Sequence, residues 1–347
     1  DSIVILRMID DPPGADPMRL RSGGWRGCGV AFAPGGRWLA VSDFGGGTLW
    51  PIVREHYPFI LRGHTGAVPY LEFTYDGSRL LSISLDGTVR QWPLRHDGRR
   101  QPGVLFDWGH PIQQSLADMD VSPDGRFAVA TGGERSVRII PLDGSPTRPL
   151  GFFDQRPWVV AVGPEGRKVA ACGLDGTVVW DLESNESNEL DLTCLARTFV
   201  FSTDGRLLVG DENLHALDPA TGEYTRLFVG VGSHFALSRD ETLVLSNADG
   251  GTFHDLDGAV STGLVGHGAG IGGFDSSGTV AVTFANETIF VGPPTGGPVH
   301  RLIARSSVTS VAVSPDGRTI ASGHADGAIL LWPMPDASRP TLYDLPH

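Results

Sequence analysis

One six-residue pattern recurs along the chain and limits its fold more than any other feature. It runs apolar, Ser or Thr, any residue, Asp, Gly, Arg, with variants. It appears as FAPGGR from Phe32, FTYDGS from Phe73, VSPDGR from Val121, VGPEGR from Val162, FSTDGR from Phe201, LSRDET from Leu237, FDSSGT from Phe274 and VSPDGR from Val313. Successive copies start 41, 48, 41, 39, 36, 37 and 39 residues apart. Asp-Gly between alternating apolar segments marks a tight hairpin, because glycine accepts the positive φ the turn requires. The fullest stretch, around Leu61–Leu94, has alternating segments at Phe59–Leu61, Val68–Phe73, Arg79–Ser84 and Thr88–Leu94, with a second Asp-Gly at Asp86-Gly87.

Four short strands make a sheet with two apolar faces, which it cannot bury alone, so copies must cover it on either side. A period near 40 with four strands per unit predicts an all-β propeller of small twisted antiparallel sheets. Gly63-His64, Asp86-Gly87-Thr88 and the closing Trp92 resemble the WD-repeat family, and the resemblance covers essentially the full length. The units fall at approximately 25–64, 65–110, 111–153, 154–193, 194–230, 231–267, 268–304 and 305–347. Residues 1–24 form a partial blade or ring-closing strands ahead of them. Eight corners predict a single eight-bladed ring, with seven blades plus a divergent unit as the alternative. Residues 2–21 are expected to close the ring against the blade that contains Trp332, removing two open sheet edges.

Composition narrows the function. The net charge is −13, and Lys168 is the only lysine. Such an acidic surface repels phosphate backbones, which argues against a broad nucleic-acid face. No apolar run reaches the ~18 residues of a membrane span, and no secretory leader is apparent. Cys28, Cys172 and Cys194 lie in different units and read as small buried residues of a reducing compartment, so a cytoplasmic location is the default.

Candidate chemistry is sparse. In WD-repeat proteins a histidine, a strand serine, a turn aspartate and a tryptophan form one hydrogen-bonded chain within a blade. The resemblance assigns these parts to His64, Ser82, Asp86 and Trp92. The same residue types also build catalytic triads, but no oxyanion donor accompanies them here. The unit at 305–347 keeps Ser322, Asp326 and Trp332 without a Gly-His. The unit at 111–153 follows Gly109-His110 and has Glu134 with Ile140 in place of tryptophan, and the unit at 268–304 follows Gly266-His267 with Gly292 there. In the unit at 154–193, Asp175 and Trp180 stand one residue too close.

A Gly-x-Gly-x-x-Gly at Gly268, Gly270 and Gly273 leads into a strand, whereas a dinucleotide site needs a helix there. Asp118, Asp120 and Asp124 lack EF-hand spacing and read as a solvated strand face. Asn185 and Asn286 sit in glycosylation-type triplets on surface loops. No cofactor or metal is expected.

The expected function is that of a non-catalytic, monomeric scaffold that binds a protein or another domain of the same chain, with no nucleic acid or membrane partner. A propeller enzyme with a central-channel site, or a small-ligand sensor, is the alternative. The run LLWPMPDASRPTLYDLPH resembles the ends of WD-repeat arrays in large bacterial signalling proteins such as serine/threonine kinases. That likeness implies a regulatory or sensing part of such a protein. In the family the mouth of the disc is lined by residues at the start of inner strands and beside the second turn. Carried over, these are Arg156, Trp158, Leu174 and Arg197. Arginine and tryptophan are the types that most often dominate interface energetics.

Overall fold

Each hairpin corner joins two strands of a small antiparallel sheet, and the sheets follow one another along the chain. The computed structural model describes residues 2–6, 18–22, 27–32, 38–43, 46–51, 59–94, 103–112, 117–132, 134–190, 198–210, 213–229, 234–238, 240–247, 252–255, 260–261, 270–275, 277–294, 299–304 and 306–335. Two units result, the second spanning Phe59–Tyr343 and the first taking the residues before it and the last four of the chain. In the first, Ser2–Leu6 pairs with Met18–Ser22, and Gly27–Phe32, Trp38–Asp43 and Gly46–Pro51 form a three-stranded sheet in that order.

The second unit holds seven four-stranded sheets. The first blade orders Tyr70–Phe73, Arg79–Ile83, Thr88–Pro93 and Gly103–Asp107 from hub to rim. The next five repeat this order, their first strands being Ala117–Val121, Val159–Val162, Thr198–Phe201, Phe235–Leu237 and Gly270–Phe274. The seventh consists of Val308–Val313, Thr319–His324, Ile329–Pro333 and, at its rim, Phe59–Leu61. First strands pack on the first strands of neighbouring blades, the fourth and fifth blades meet through the cluster of Leu208, Leu214, Phe235 and Val244, and Val308–Val313 packs on Tyr70–Phe73, so the row of sheets closes into a ring.

The apolar core is divided accordingly. Among the described residues, seven clusters each lie between two adjacent sheets. Period-two alternation explains them, since successive side chains of a strand point to opposite faces and so to opposite neighbours. On Lys168–Gly173, Ala170 and Cys172 enter the cluster with the fourth blade, while Val169 and Ala171 enter the one with the second.

Several corners share one hydrogen-bond pattern. Thr74 Oγ1 donates to Asp76 Oδ1 at 2.6 Å, Ser122 Oγ to Asp124 at 2.7 Å, Ser238 Oγ to Asp240 at 2.6 Å and Ser314 Oγ to Asp316 at 2.6 Å. The next residue takes a left-handed φ of 66–67° at Gly77, Gly125 and Gly317, which is why glycine recurs there. LSRDET has no glycine, and Glu241 adopts φ 55° in its place. That strain costs about 1–2 kcal/mol in general. Here it is offset by the Glu241 carboxylate, which accepts from Thr203 N–H at 2.6 Å and Thr203 Oγ1 at 3.0 Å on the preceding corner.

Two expectations change. The ring has seven blades, the alternative count, because the corner at Phe32 belongs to the three-stranded sheet of the N-terminal unit. The strand that closes the blade of Trp332 is Phe59–Leu61, with Ile329 opposite Leu61, Leu330 opposite Ile60 and Leu331 opposite Phe59, and not a strand from residues 2–21, where Ser2–Leu6 pairs with Met18–Ser22. The unit at 25–64 therefore supplies the rim strand of the last blade, while the units between 65 and 304 each keep all four strands in one blade. Such an offset locks the first and last blades together.

Candidate functional site

In the first blade the Asp86-Gly87 turn, the end of Arg79–Ile83 and the loop after Leu61 converge. His64 Nδ1 lies 3.0 Å from Asp86 Oδ2, His64 Nε2 lies 2.7 Å from Ser82 Oγ, and Trp92 Nε1 donates to the same Oγ at 2.8 Å. Thr65 N–H and Thr88 Oγ1 add bonds of 3.0 Å and 2.7 Å to the Asp86 carboxylate. Burial holds His64 below the ordinary imidazole value, outweighing the nearby Asp86 charge. Burial alone would raise Asp86. The bonds from Thr88, Thr65 and His64 outweigh it, and the carboxyl sits below its usual range. Ser82 is fully buried beneath the histidine and tryptophan, so its hydroxyl offers no face to a substrate.

The other blades use pieces of this arrangement. In the seventh, Trp332 Nε1 donates to Ser322 Oγ at 2.8 Å, and His324 supplies the missing imidazole from the serine's own strand. Its Nε2 lies 2.8 Å from Ser322 Oγ and its Nδ1 lies 3.0 Å from the Ser306 carbonyl. The pair Ser322-x-His324 was the available signal for this substitute. In the fifth blade His254 stands opposite Val244, as Trp92 stands opposite Leu80, and its Nε2 is 3.2 Å from Ser246 Oγ.

The second blade diverts its look-alike residues. His110 is exposed, Glu134 binds Arg138 Nη2 at 2.7 Å, and Trp108 lies over Gly132. Replacing His64 by Ala should therefore cost about 1–3 kcal/mol in chemical denaturation, for the groups it leaves unpaired. His110→Ala should stay within about 0.5 kcal/mol of the parent.

The third blade resolves the spacing of Trp180. A two-residue turn, Leu174-Asp175, joins Gly173 to its partner Gly176, and Trp180 pairs opposite Val169 in the place Trp92 takes opposite Leu80. The missing residue is absorbed by the turn, and Ala171 stands where Ser82 stands in the first blade.

This turn is also where three residues expected to bind a partner meet. Gln155 N–H donates to Asp175 Oδ2, and Trp158 N–H donates to the Cys172 carbonyl at 3.0 Å. A Cβ on Gly173 would lie 3.2 Å from the Arg156 carbonyl oxygen, so the loop rests directly on the turn. Arg156 is exposed, Leu174 is 55% exposed, and Trp158 is half-buried, its ring packed against the cluster between the third and fourth blades. Arg197, Gly268, His267 and Cys194 lie outside the described residues.

Gly270 and Gly273 belong to the strand Gly270–Phe274, and the chain continues into the strand Ala281–Ala285. Cys172 is buried, with burial pushing its thiol up to about 12. Asn185 and Asn286 occupy left-handed turns with φ of 58° and 51°. Asp124 caps its corner, whereas Asp118 and Asp120 turn onto the third blade, where Val160 N–H and Val162 N–H donate to them at 2.9 Å and 2.6 Å. The reading of a solvated aspartate face is corrected by those bonds. Among the described residues no group of three or more His, Cys, Asp or Glu is arranged to hold a metal ion, and no helix is long and apolar enough to cross a membrane.

Comparison with known proteins agrees with this architecture. The family described as "WD domain, G-beta repeat" matches residues 56–93 and 296–333, each a rim strand followed by three inner strands. Striatin-4 of Homo sapiens is 23% identical over 317 residues, which is 80% of this chain and 37% of that protein. The Mus musculus protein of the same name is 23% identical over 296 residues, 36% of its length. SIR4-interacting protein SIF2 of Saccharomyces cerevisiae is 31% identical over 134 residues, 38% of this chain and 24% of that one. The chain thus spans little more than a third of the striatins it matches. The two matched repeats, the ring of four-stranded blades and the buried His64–Ser82–Trp92 arrangement are those of a WD-repeat β-propeller.

Proposed function

We propose that the chain is a non-catalytic scaffold that binds a protein partner, or another domain of the same polypeptide, through the loop and turn that carry Arg156, Trp158 and Leu174. One observation carries this reading. A large aliphatic residue and an arginine are held exposed on two adjoining loops, both fixed by backbone hydrogen bonds to a rigid ring. Preformed loops of this kind bind with little ordering cost. Arg197 completes the proposed patch. WD-repeat relatives support the interaction role, and one of them is named for the protein it interacts with. The setting we propose is cytoplasmic, in a larger bacterial signalling protein, with this ring as its regulatory or sensing part. Buried serine hydroxyls and an acidic surface favour this reading over an enzyme or a nucleic-acid binder.

Affinity capture with Leu174→Asp and Arg156→Glu tests the patch. Each should reduce partner recovery at least about tenfold while leaving the melting temperature near that of the parent. Trp158→Ala should lower both recovery and stability, because its ring is packed against the core. Full recovery with folded Leu174→Asp and Arg156→Glu would remove the patch and leave the scaffold reading standing.

A further inference from the structure

The inner strands of the first two blades carry acids that the contact patch does not use. Glu72, on Tyr70–Phe73, faces the neighbouring Ala117–Val121 strand, where its carboxyl lies beside that of Asp120, whose Oδ1 accepts from the Val121 N–H at 2.7 Å. Asp118 and Asp120 reach one blade further, accepting from Val160 N–H at 2.9 Å and Val162 N–H at 2.6 Å. Val159–Val162 pairs on one side only, with Lys168–Gly173, so the two carboxyls satisfy N–H groups on its open edge. Two carboxyls can hydrogen-bond to each other only while one keeps its proton. A separate observation points the same way. Glu72 Oε2 is sealed from solvent and has no hydrogen-bond partner among the described residues, a position that favours a neutral carboxyl over a charged one.

We propose that Glu72, Asp118 and Asp120 form a proton-dependent latch that ties the hubs of three consecutive blades, closed while Glu72 and Asp120 share a proton and loosened when it leaves. Other groups near the acids reinforce this. Tyr70 stands on the same strand as Glu72, and Tyr75 at its corner. The packed strands Val159–Val162, Phe127–Gly132 and Val308–Val313 bring no titratable side chain. Arg79 is engaged with the Leu142 carbonyl and Gln91, and His324 with Ser322 and Ser306. Among the described residues no ion pair neutralises the acids.

Burial, with the neighbouring carboxyls, raises Glu72 well above the ordinary range. Burial pushes Asp118 up to about 8 and Asp120 up to about 6. An acid raised in the folded state binds its proton more tightly there than in the unfolded chain. Stability is then greatest at low pH and falls as pH rises from about 4 through 6 towards 8.

The experiment follows the thermal midpoint from pH 5 to pH 9 in the parent and in Glu72→Gln/Asp118→Asn, whose amides can keep the bonds without a titrating proton. The parent should lose at least several degrees between pH 5.5 and 8.5, and the double variant should show a clearly shallower profile. Carbon-13 carboxyl titration of the parent gives a readout that needs no variant: a resonance of Asp118 should titrate above pH 6. A flat parent profile, equal slopes for parent and variant, or ordinary titration of all three acids near pH 4 would overturn the latch.

Discussion

Replacing Trp92 by Ala should destabilise the ring by about 3–5 kcal/mol in denaturant unfolding, the usual cost of emptying a core aromatic site. Trp92 is 1% exposed and lies among Leu61, Val68, Leu80, Ala312, Ile329 and Leu331, between the first and seventh blades. Its removal opens a void at the seam where the ring closes and takes away the indole donor to Ser82 Oγ. Trp92→Phe separates the two contributions, because the ring volume largely remains while the N–H is lost, and should cost about 1 kcal/mol. Trp180→Ala should cost less than Trp92→Ala. Trp180 fills the corresponding position but faces Ala171 instead of a serine, and it is 9% exposed. A Trp92→Ala protein that unfolds at the parent's denaturant midpoint would contradict the structural role of the buried chain.

The strands and corners were legible in the sequence because their signals are local. An Asp-Gly corner and period-two alternation fix where a hairpin turns and which residues face inward. The first blade's hydrogen-bonded residues were legible for a similar reason, since Ser82, Asp86 and Trp92 fall in one unit and His64 immediately precedes it. What escaped depends on contacts that no local pattern encodes. Phe59–Leu61 shows as a strand, but whether it stays with its own unit or crosses to Ile329–Pro333 is decided by the geometry of closure. His324 escaped because its imidazole reaches Ser322 from two residues along the same strand, not from the preceding loop. Asp118 and Asp120 look solvated as an alternating pair, yet their partners are backbone amides 42 residues away on the next blade. The spacing of Trp180 looked wrong because a turn can lose a residue without moving the strand that follows.

The closing strand offers the sharpest test of the ring. Leu61→Asp should lower stability by at least about 4 kcal/mol, combining the loss of a buried leucine with a carboxylate placed in an apolar site. Leu61 is 5% exposed and packs in the same cluster as Trp92, while its backbone pairs with Ile329. The seam it guards is also held by Val68. Its carbonyl accepts from Thr309 Oγ1 and Ser310 Oγ at 2.7 Å each, and its N–H donates to the His324 carbonyl at 3.2 Å. A charge at Leu61 would pull the rim strand away and expose an unpaired edge on the seventh blade, so the variant should also self-associate more readily. Leu61→Met keeps the volume and should cost less than about 1.5 kcal/mol. Denaturant unfolding with light scattering on the same samples reads both effects. If Leu61→Asp were as stable and as monodisperse as Leu61→Met, Phe59–Leu61 would not be what closes the ring.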